Sequence, residues 1–290
     1  ASKAQNSALR FEDISYFERR QLSIDALAKL VDGFSGLRVC VMGDLIVDEY
    51  ISCRPLGMSQ EDPAIVVTPL DSVKFIGGAG IVSSHASGLG AKVSFISISG
   101  NDALRDFSVR KLNESNVNCY MFEDVGRPTT LKQRYRSHGK TLFRVSHLFE
   151  GAASIELQDK LYDALLKLID NLDLIVLSDF NYGCLPQLLV EKITRLAKER
   201  GVLLVADSQS SSQTGDISRF KGARLLTPTE REARVSLRNN EDGLVVLAEK
   251  LRQESSAESI ILTMGGDGIL IHGTQLDYDS NVTDRIPAMN

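Results

Sequence analysis

LRVCVMGD, residues 37–44, is the stretch on which the reading of the fold turns. Six β-rich residues run straight into Gly43-Asp44, which is how a parallel strand hands over to a functional loop. Similar short apolar runs recur at 93–98, 172–177, 202–206, 223–226 and 259–263. Helical segments at 102–115, 154–170, 186–199 and 241–254 separate several of them. This alternation predicts right-handed βαβ units and hence an α/β class fold, a doubly wound, mainly parallel sheet flanked by helices. Two stretches break the rhythm. Residues 49–73 and 120–144 are strand-like, carry turn signals and lack a long helix, which predicts a small β-sheet lid over the carboxyl ends of the parallel strands. Residues 1–36, with Phe11, Ile14, Phe17 and Leu22 at helical spacing, read as a linker and leader helix ahead of one domain over 37–290.

The composition bounds the function. With 290 residues, 43% hydrophobic and 24% charged, the chain matches an ordinary globular protein and excludes the disordered, collagen-like and coiled-coil classes. Lys plus Arg is 33 against 38 for Asp plus Glu, a net charge of −5, so no general nucleic-acid partner is expected. Cys40, Cys53, Cys119 and Cys184 lie far apart, without C-x-x-C or a neighbouring His at ligand spacing, and read as buried reduced thiols. No apolar stretch approaches the roughly 18 residues of a membrane span, and Arg10, Glu12, Asp13, Glu18, Arg19 and Arg20 occupy the place of a signal-peptide core. The expected compartment is the cytoplasm. The chain starts at Ala1 without Met and stops at Asn290 in mid-phrase, which reads as a piece of a longer polypeptide.

Individually, the polar and Gly-rich motifs leave alternatives open. Gly77-Gly78-Ala79-Gly80 precedes a helical stretch and either offers backbone amides to a ligand oxygen or simply permits close helix packing; it is neither a Walker loop nor a dinucleotide fingerprint. Asp44 and Asp48, four apart, either accept bonds from polyol hydroxyls or shape a turn. Thr263-Met-Gly265-Gly-Asp267-Gly268 joins two apolar runs as a tight turn or a ligand loop, and 208–215 is a polar loop. Lys132, Arg134, Arg136, Lys140 and Arg144 form a cationic cluster in the second insertion. Alternation places Lys132, Arg134 and Arg136 on one strand face, suited to an anion or merely solvated.

In order along the chain, Gly43-Asp44 with Asp48, Ser59-x-Glu61-x-Pro63, Gly77-Gly78, Arg127-Pro128-Thr129, Ser178-Asp179, Thr227-Pro228 with Glu232, and Thr263-x-Gly265-x-x-Gly268 resemble the ribokinase-like (phosphofructokinase B type) carbohydrate kinases. Within that family the likeness is nearest to the heptose-phosphate kinase domain of bifunctional ADP-heptose synthases. The resemblance spans about residues 37–290 and implies ATP-dependent phosphorylation of a sugar or sugar phosphate, with Mg2+. It implies that Asp44, Asp48, Gly77 and Gly78 hold sugar hydroxyls and that Lys132, Arg134 and Arg144 grip a phosphate already on the substrate. On the nucleotide side it implies Thr229, Glu232, Thr263, Gly265 and Gly268, with Glu232 acting on magnesium through water; Asp207, at the end of a strand, is a further candidate for the phosphate region or else a helix cap. It also implies a fused nucleotidyltransferase domain and a homodimer formed through the lid.

This chain departs from the family at three positions. Ile81 replaces an asparagine after the double glycine, with Ser83, Ser84 and His85 as alternative polar groups; Tyr182 replaces a lysine; and Thr229 replaces the asparagine of N-x-x-E. The family's G-A-G-D segment, with its anion hole and general base, is not found in the 290 residues, so the catalytic aspartate is expected beyond Asn290 and the chain on its own is expected to be inactive. The reading is therefore a carbohydrate kinase domain, with a noncatalytic sugar- or nucleotide-binding module of the same fold as the alternative.

Overall fold

The computed structural model describes residues 20–209, 215–274 and 281–288. Phe11, Ile14 and Phe17 of the expected leader, and most of the polar loop at 208–215, lie outside the described residues. The chain divides into two compact units, Leu37–Leu203 and Ala1–Gly36 with Leu204–Asn290. Within the described leader, helix α1 (Ile24–Asp32) is capped by Ser23, whose hydroxyl accepts from Ala26 N at 3.1 Å.

The Leu37–Leu203 unit begins with the strand that decided the fold, β1 (Arg38–Gly43), with Val39 to Gly43 all buried. The long β2 (Leu45–Met58) and β3 (Ile65–Gly77) follow, then α2 (Gly78–Gly88), β4 (Lys92–Ser99), α3 (Ala103–Glu114) and β5 (Val117–Glu123). After β6 (Thr130–Ser137) and β7 (Lys140–His147) come α4 (Ile155–Leu166), β8 (Leu174–Asp179) and α5 (Gln187–Arg200). Strands β8, β1, β4 and β5 lie side by side in that order, all parallel. Val39, Val41, Leu45, Ala79, Val93, Phe95, Leu112 and Val117 form a continuous apolar core, the burial that drives the strand–helix packing.

The second sheet has the order β3-β2-β6-β7. Its strands correct the expected lid boundaries. The lid hairpins run from Leu45 and from Thr130, and residues 120–123 belong instead to β5 at the edge of the parallel sheet, paired with β4. A run such as VNCYMFE is equally strand-like in either sheet, and only long-range pairing assigns it.

The other unit contains β9 (Leu203–Ser208, from Leu204), β10 (Leu225–Leu226), α6 (Glu230–Leu237), α7 (Leu244–Ser255), β11 (Ser259–Thr263), β12 (Ile269–Thr274) and β13 (Asn281–Ile286). Strands β9, β10 and β11 are parallel, and β11, β12 and β13 are antiparallel. The expected α/β class holds, with parallel pairing dominant and a small second sheet. The four cysteines are free; Cys40, Cys53 and Cys184 are buried and Cys119 is half-buried. No helix among the described residues is long and apolar enough to cross a membrane.

Candidate functional site

In the Leu37–Leu203 unit the polar residues collect at the carboxyl ends of β1 and β8 and at the root of the lid. A Cβ on Gly43 would lie 1.8 Å from the Ser178 carbonyl oxygen, so only glycine lets the two strand ends approach. Asp44 follows and turns inward. Its carboxylate accepts hydrogen bonds from the backbone N–H groups of Phe180 (2.7 Å), Tyr182 (3.3 Å) and Cys184 (3.1 Å), and the residue is 3% exposed. Burial, with the negative charge of buried Asp179 beside it, pushes Asp44 up to about 6, although the three N–H donors pull the other way. Placed among those donors, Asp44 is first a holder of the 180–184 loop.

Asp48 occupies the more open position. Its side chain is 21% exposed and forms an ion pair with Arg134. A Cβ on Gly77 would sit 2.3 Å from Asp48 Oδ2, and one on Gly78, where φ is +57°, would sit 2.3 Å from the Asp44 carbonyl oxygen. The double glycine thus clears room around Asp48 and admits a left-handed turn into α2. Gly80 serves packing, since its Cβ would meet the Ile76 side chain at 2.5 Å. Ser83, one of the polar groups offered in place of asparagine, is buried and donates to the Ala79 carbonyl at 2.9 Å, so it faces its own helix.

On the lid, β6 pairs Lys132 with Asp48 and Arg134 with Tyr50 on one side, and Arg134 with Arg144 on the other. Lys132, Arg134 and Arg136 share a strand face as the alternation predicts. Arg134 and Arg136 lie over the Tyr50 ring at 5.2 and 5.4 Å. Lys132 Nζ lies 5.2 Å from the Phe180 ring and 5.0 Å from the Tyr182 ring. Arg144 is exposed.

Arg127 was visible in the sequence only as part of a motif with no assigned role. Its buried guanidinium donates to Asp124 Oδ2 (2.6 Å) and to the carbonyls of Phe149 (3.1 Å), Tyr182 (2.6 Å) and Gly151 (2.5 Å). It therefore ties the chain entering β6 and the chain leaving β7 to the loop after β8.

In the other unit, Asp207 is the penultimate residue of β9, accepts from the Thr227 hydroxyl at 3.2 Å and caps no helix among the described residues. Thr229 is the N-cap of α6 and Glu232 its reciprocal partner. Glu232 N donates to Thr229 Oγ1 at 3.2 Å, and Thr229 N donates to Glu232 Oε2 at 2.7 Å, a capping box. Thr263 ends β11, and its N–H donates to the Pro228 carbonyl at 2.9 Å. The turn beyond has Gly265 at φ +59° and Gly268 at φ +89°, and a Cβ on Gly268 would lie 2.1 Å from the Ile286 carbonyl oxygen. Thr229, Thr263 and Gly265 line an open cleft of about 790 Å³ together with Arg231, Arg234 and Met264. The structure thus groups three of the expected nucleotide-side residues, leaves Glu232 in the helix cap, and adds Arg231 and Met264, which no motif had marked.

No cluster of three or more His, Cys, Asp or Glu side chains suited to a metal occurs among the described residues. Thr229, Glu230, Asn240 and Thr263 bring oxygen atoms to the cleft lining, the donor type that a hard cation such as Mg2+ takes.

A mainly parallel sheet, a small second sheet, Asp44, Asp48 and the Thr263-x-Gly265-x-x-Gly268 turn are features on which the sequence resembles the ribokinase-like carbohydrate kinases. The comparisons agree: residues 38–284 match the model of the pfkB family carbohydrate kinases. The chain belongs to this family. It is 31% identical over 247 residues to the bifunctional protein HldE of Desulfatibacillum aliphaticivorans, covering 82% of this chain and 49% of that protein. It is 29% identical over 257 residues to HldE of Rhodopseudomonas palustris strain HaA2, covering 87% and 50%. The chain spans about half the length of these curated relatives. Among solved structures it is similar to Escherichia coli phosphofructokinase-2 in complex with fructose-6-phosphate, with TM-score 0.66, 16% identity, and coverage of 88% of this chain and 81% of that one. Ribokinase of Arabidopsis thaliana, complexed with ribose and ATP, gives TM-score 0.63 at 14% identity, covering 87% and 78%.

Proposed function

We propose that this chain is the kinase domain of a bifunctional nucleotide-sugar synthesis protein, transferring a phosphoryl group from ATP to a hydroxyl of a sugar phosphate of the heptose-phosphate class. The observation that carries the reading is the lid face bearing Lys132, Arg134, Arg136 and Arg144 around a single paired acid, Asp48, beside the glycine-cleared space at Gly77 and Gly78. Asp48 accepts a sugar hydroxyl in exchange for part of its contact with Arg134, and the lid cations not paired to a carboxylate hold the phosphate already present. Asp44 acts through the loop it holds. On the nucleotide side, Thr229, Thr263, Gly265 and Gly268 form the cradle, with Asp207 behind it and Glu232 facing the cation. Mg2+, when bound, neutralises charge on the phosphates. Asp48 and the lid cations orient the acceptor, and phosphoryl transfer depends chiefly on such positioning. The proposed partners are a fused nucleotidyltransferase domain and a second copy of the chain across the lid, with the cytoplasm as the compartment.

A second reading, a noncatalytic binding module of the same fold, draws support from Ile81, Tyr182 and Thr229, and from Glu232 being engaged in the helix cap. Calorimetric titration with sedoheptulose 7-phosphate and with sedoheptulose, together with phosphorus NMR of the full-length protein with Mg-ATP, separates the two. Preferred binding of the phosphorylated sugar with formation of ADP supports the kinase. Binding without transfer supports the module, and no binding of either sugar sinks both readings.

A further inference from the structure

We infer that Lys132, which has no carboxylate partner among the described residues and lies in an aromatic bracket formed by Phe180 and Tyr182, is the residue that discriminates a phosphorylated from an unphosphorylated substrate. This rests on the sugar-phosphate reading above.

The lid cations differ in what surrounds them. Arg134 is joined to the carboxylate of Asp48, which cancels most of its charge. Arg136 donates to the Gly139 carbonyl at 2.7 Å, near the far end of β6. At about 3.3 Å per residue along a strand it stands roughly 13 Å from Lys132. Arg144 is exposed, opposite Arg134. Lys132 is register-paired with Asp48 at the root of the lid, two positions from where β2 meets both Gly77 and Thr130. It makes no ion pair among the described residues. A sugar whose hydroxyl engages Asp48 therefore meets Lys132 before any other uncancelled cation.

The bracket explains how an unpaired ammonium is kept in place. Ring faces attract a cation through their quadrupole, so they orient the charge without neutralising it. The Phe180 and Tyr182 rings are 6.5 Å apart and inclined by 26°, and Lys132 Nζ is nearly equidistant from both. Their backbone is fixed from behind, because both N–H groups donate to Asp44 and the Tyr182 carbonyl accepts from Arg127. Tyr182, which stands where the resembled family has lysine, thus serves as a support for a cation delivered from the lid.

The test is calorimetric titration of wild type and variants with sedoheptulose 7-phosphate and with sedoheptulose. Wild type is expected to prefer the phosphorylated sugar by roughly tenfold or more, the scale of one charge-assisted contact. Lys132→Met should reduce that preference to about twofold or less, whereas Arg134→Met should weaken both sugars together and keep the preference. Tyr182→Phe should retain the preference, and Tyr182→Leu should lose it. Because Tyr182 is buried, Phe180→Leu, at a half-buried position, repeats the test if Tyr182→Leu fails to fold. A preference that survives Lys132→Met, or that survives loss of either ring, overturns the inference and leaves the kinase reading standing. A wild-type chain that binds the two sugars equally overturns both.

Discussion

At Asp44 a buried carboxylate faces three backbone amides on one side and the charge of Asp179 on the other, and burial wins: the carboxyl is pushed up from 3.8 to about 6. A folded value above the ordinary one means that the fold favours the neutral acid. The stability it contributes is full below about 4 and is lost as the pH rises through about 6. Carbon-13 NMR of the Asp44 carboxyl should therefore show a midpoint near 6, and a midpoint at or below about 4 would show that the amides dominate instead. Substitution separates the structural role from the ligand role. Asp44→Ala leaves three buried N–H donors without their acceptor, and we expect a loss of about 2–4 kcal/mol in urea unfolding. A loss under about 1 kcal/mol would return Asp44 to the turn-or-ligand alternatives that its sequence position left open.

The start of α6 poses the same question for a secondary-structure element. The Thr229–Glu232 capping box satisfies two helix-end N–H groups, and the same carboxylate is the one proposed to face a magnesium-bearing phosphate. Thr229→Ala should cost about 1 kcal/mol of stability. Glu232→Gln keeps an acceptor for the Thr229 N–H and should be near neutral for folding while weakening Mg-nucleotide binding severalfold, measured by titration with Mg-ATP. If Glu232→Gln leaves nucleotide affinity unchanged, Glu232 belongs to the helix cap alone. The lid strands show how position and pairing combine in another element. Alternation along β6 was legible and placed Lys132, Arg134 and Arg136 on one face. The aspartate and the aromatic rings that sort these cations into paired and unpaired come from β2 and from the loop after β8, far away in sequence.

For the whole molecule, the outer strand of the lid leaves Leu70 64%, Val73 48% and Phe75 51% exposed, with Met58 64% exposed on the neighbouring strand. Val73 and Phe75 lie two residues apart on β3, which is an edge of its sheet among the described residues and so offers a strand for pairing with another chain. We expect self-association through this strand edge, with Phe75→Glu shifting it towards monomer in sedimentation equilibrium. A mass that stays monomeric at every concentration would remove the lid-to-lid dimer from the proposal.

What the sequence by itself determined was everything written in short-range pattern: the apolar runs of the parallel strands, the intervening helices, the glycines at 77, 78, 265 and 268, and a motif order specific enough to indicate the family. Only the tertiary structure decided which sheet residues 120–123 join, that Asp44 is spent on the 180–184 loop while Asp48 pairs with Arg134, that Arg127 clamps both ends of the lid hairpin, and that Lys132 has ring contacts and no ion-pair partner among the described residues. The reason is physical. Periodicity and turn chemistry act between near neighbours, whereas desolvation, ion pairing and ring contacts depend on what the fold brings alongside, here the partners of Asp44 136 to 140 residues away and that of Asp48 86 residues away.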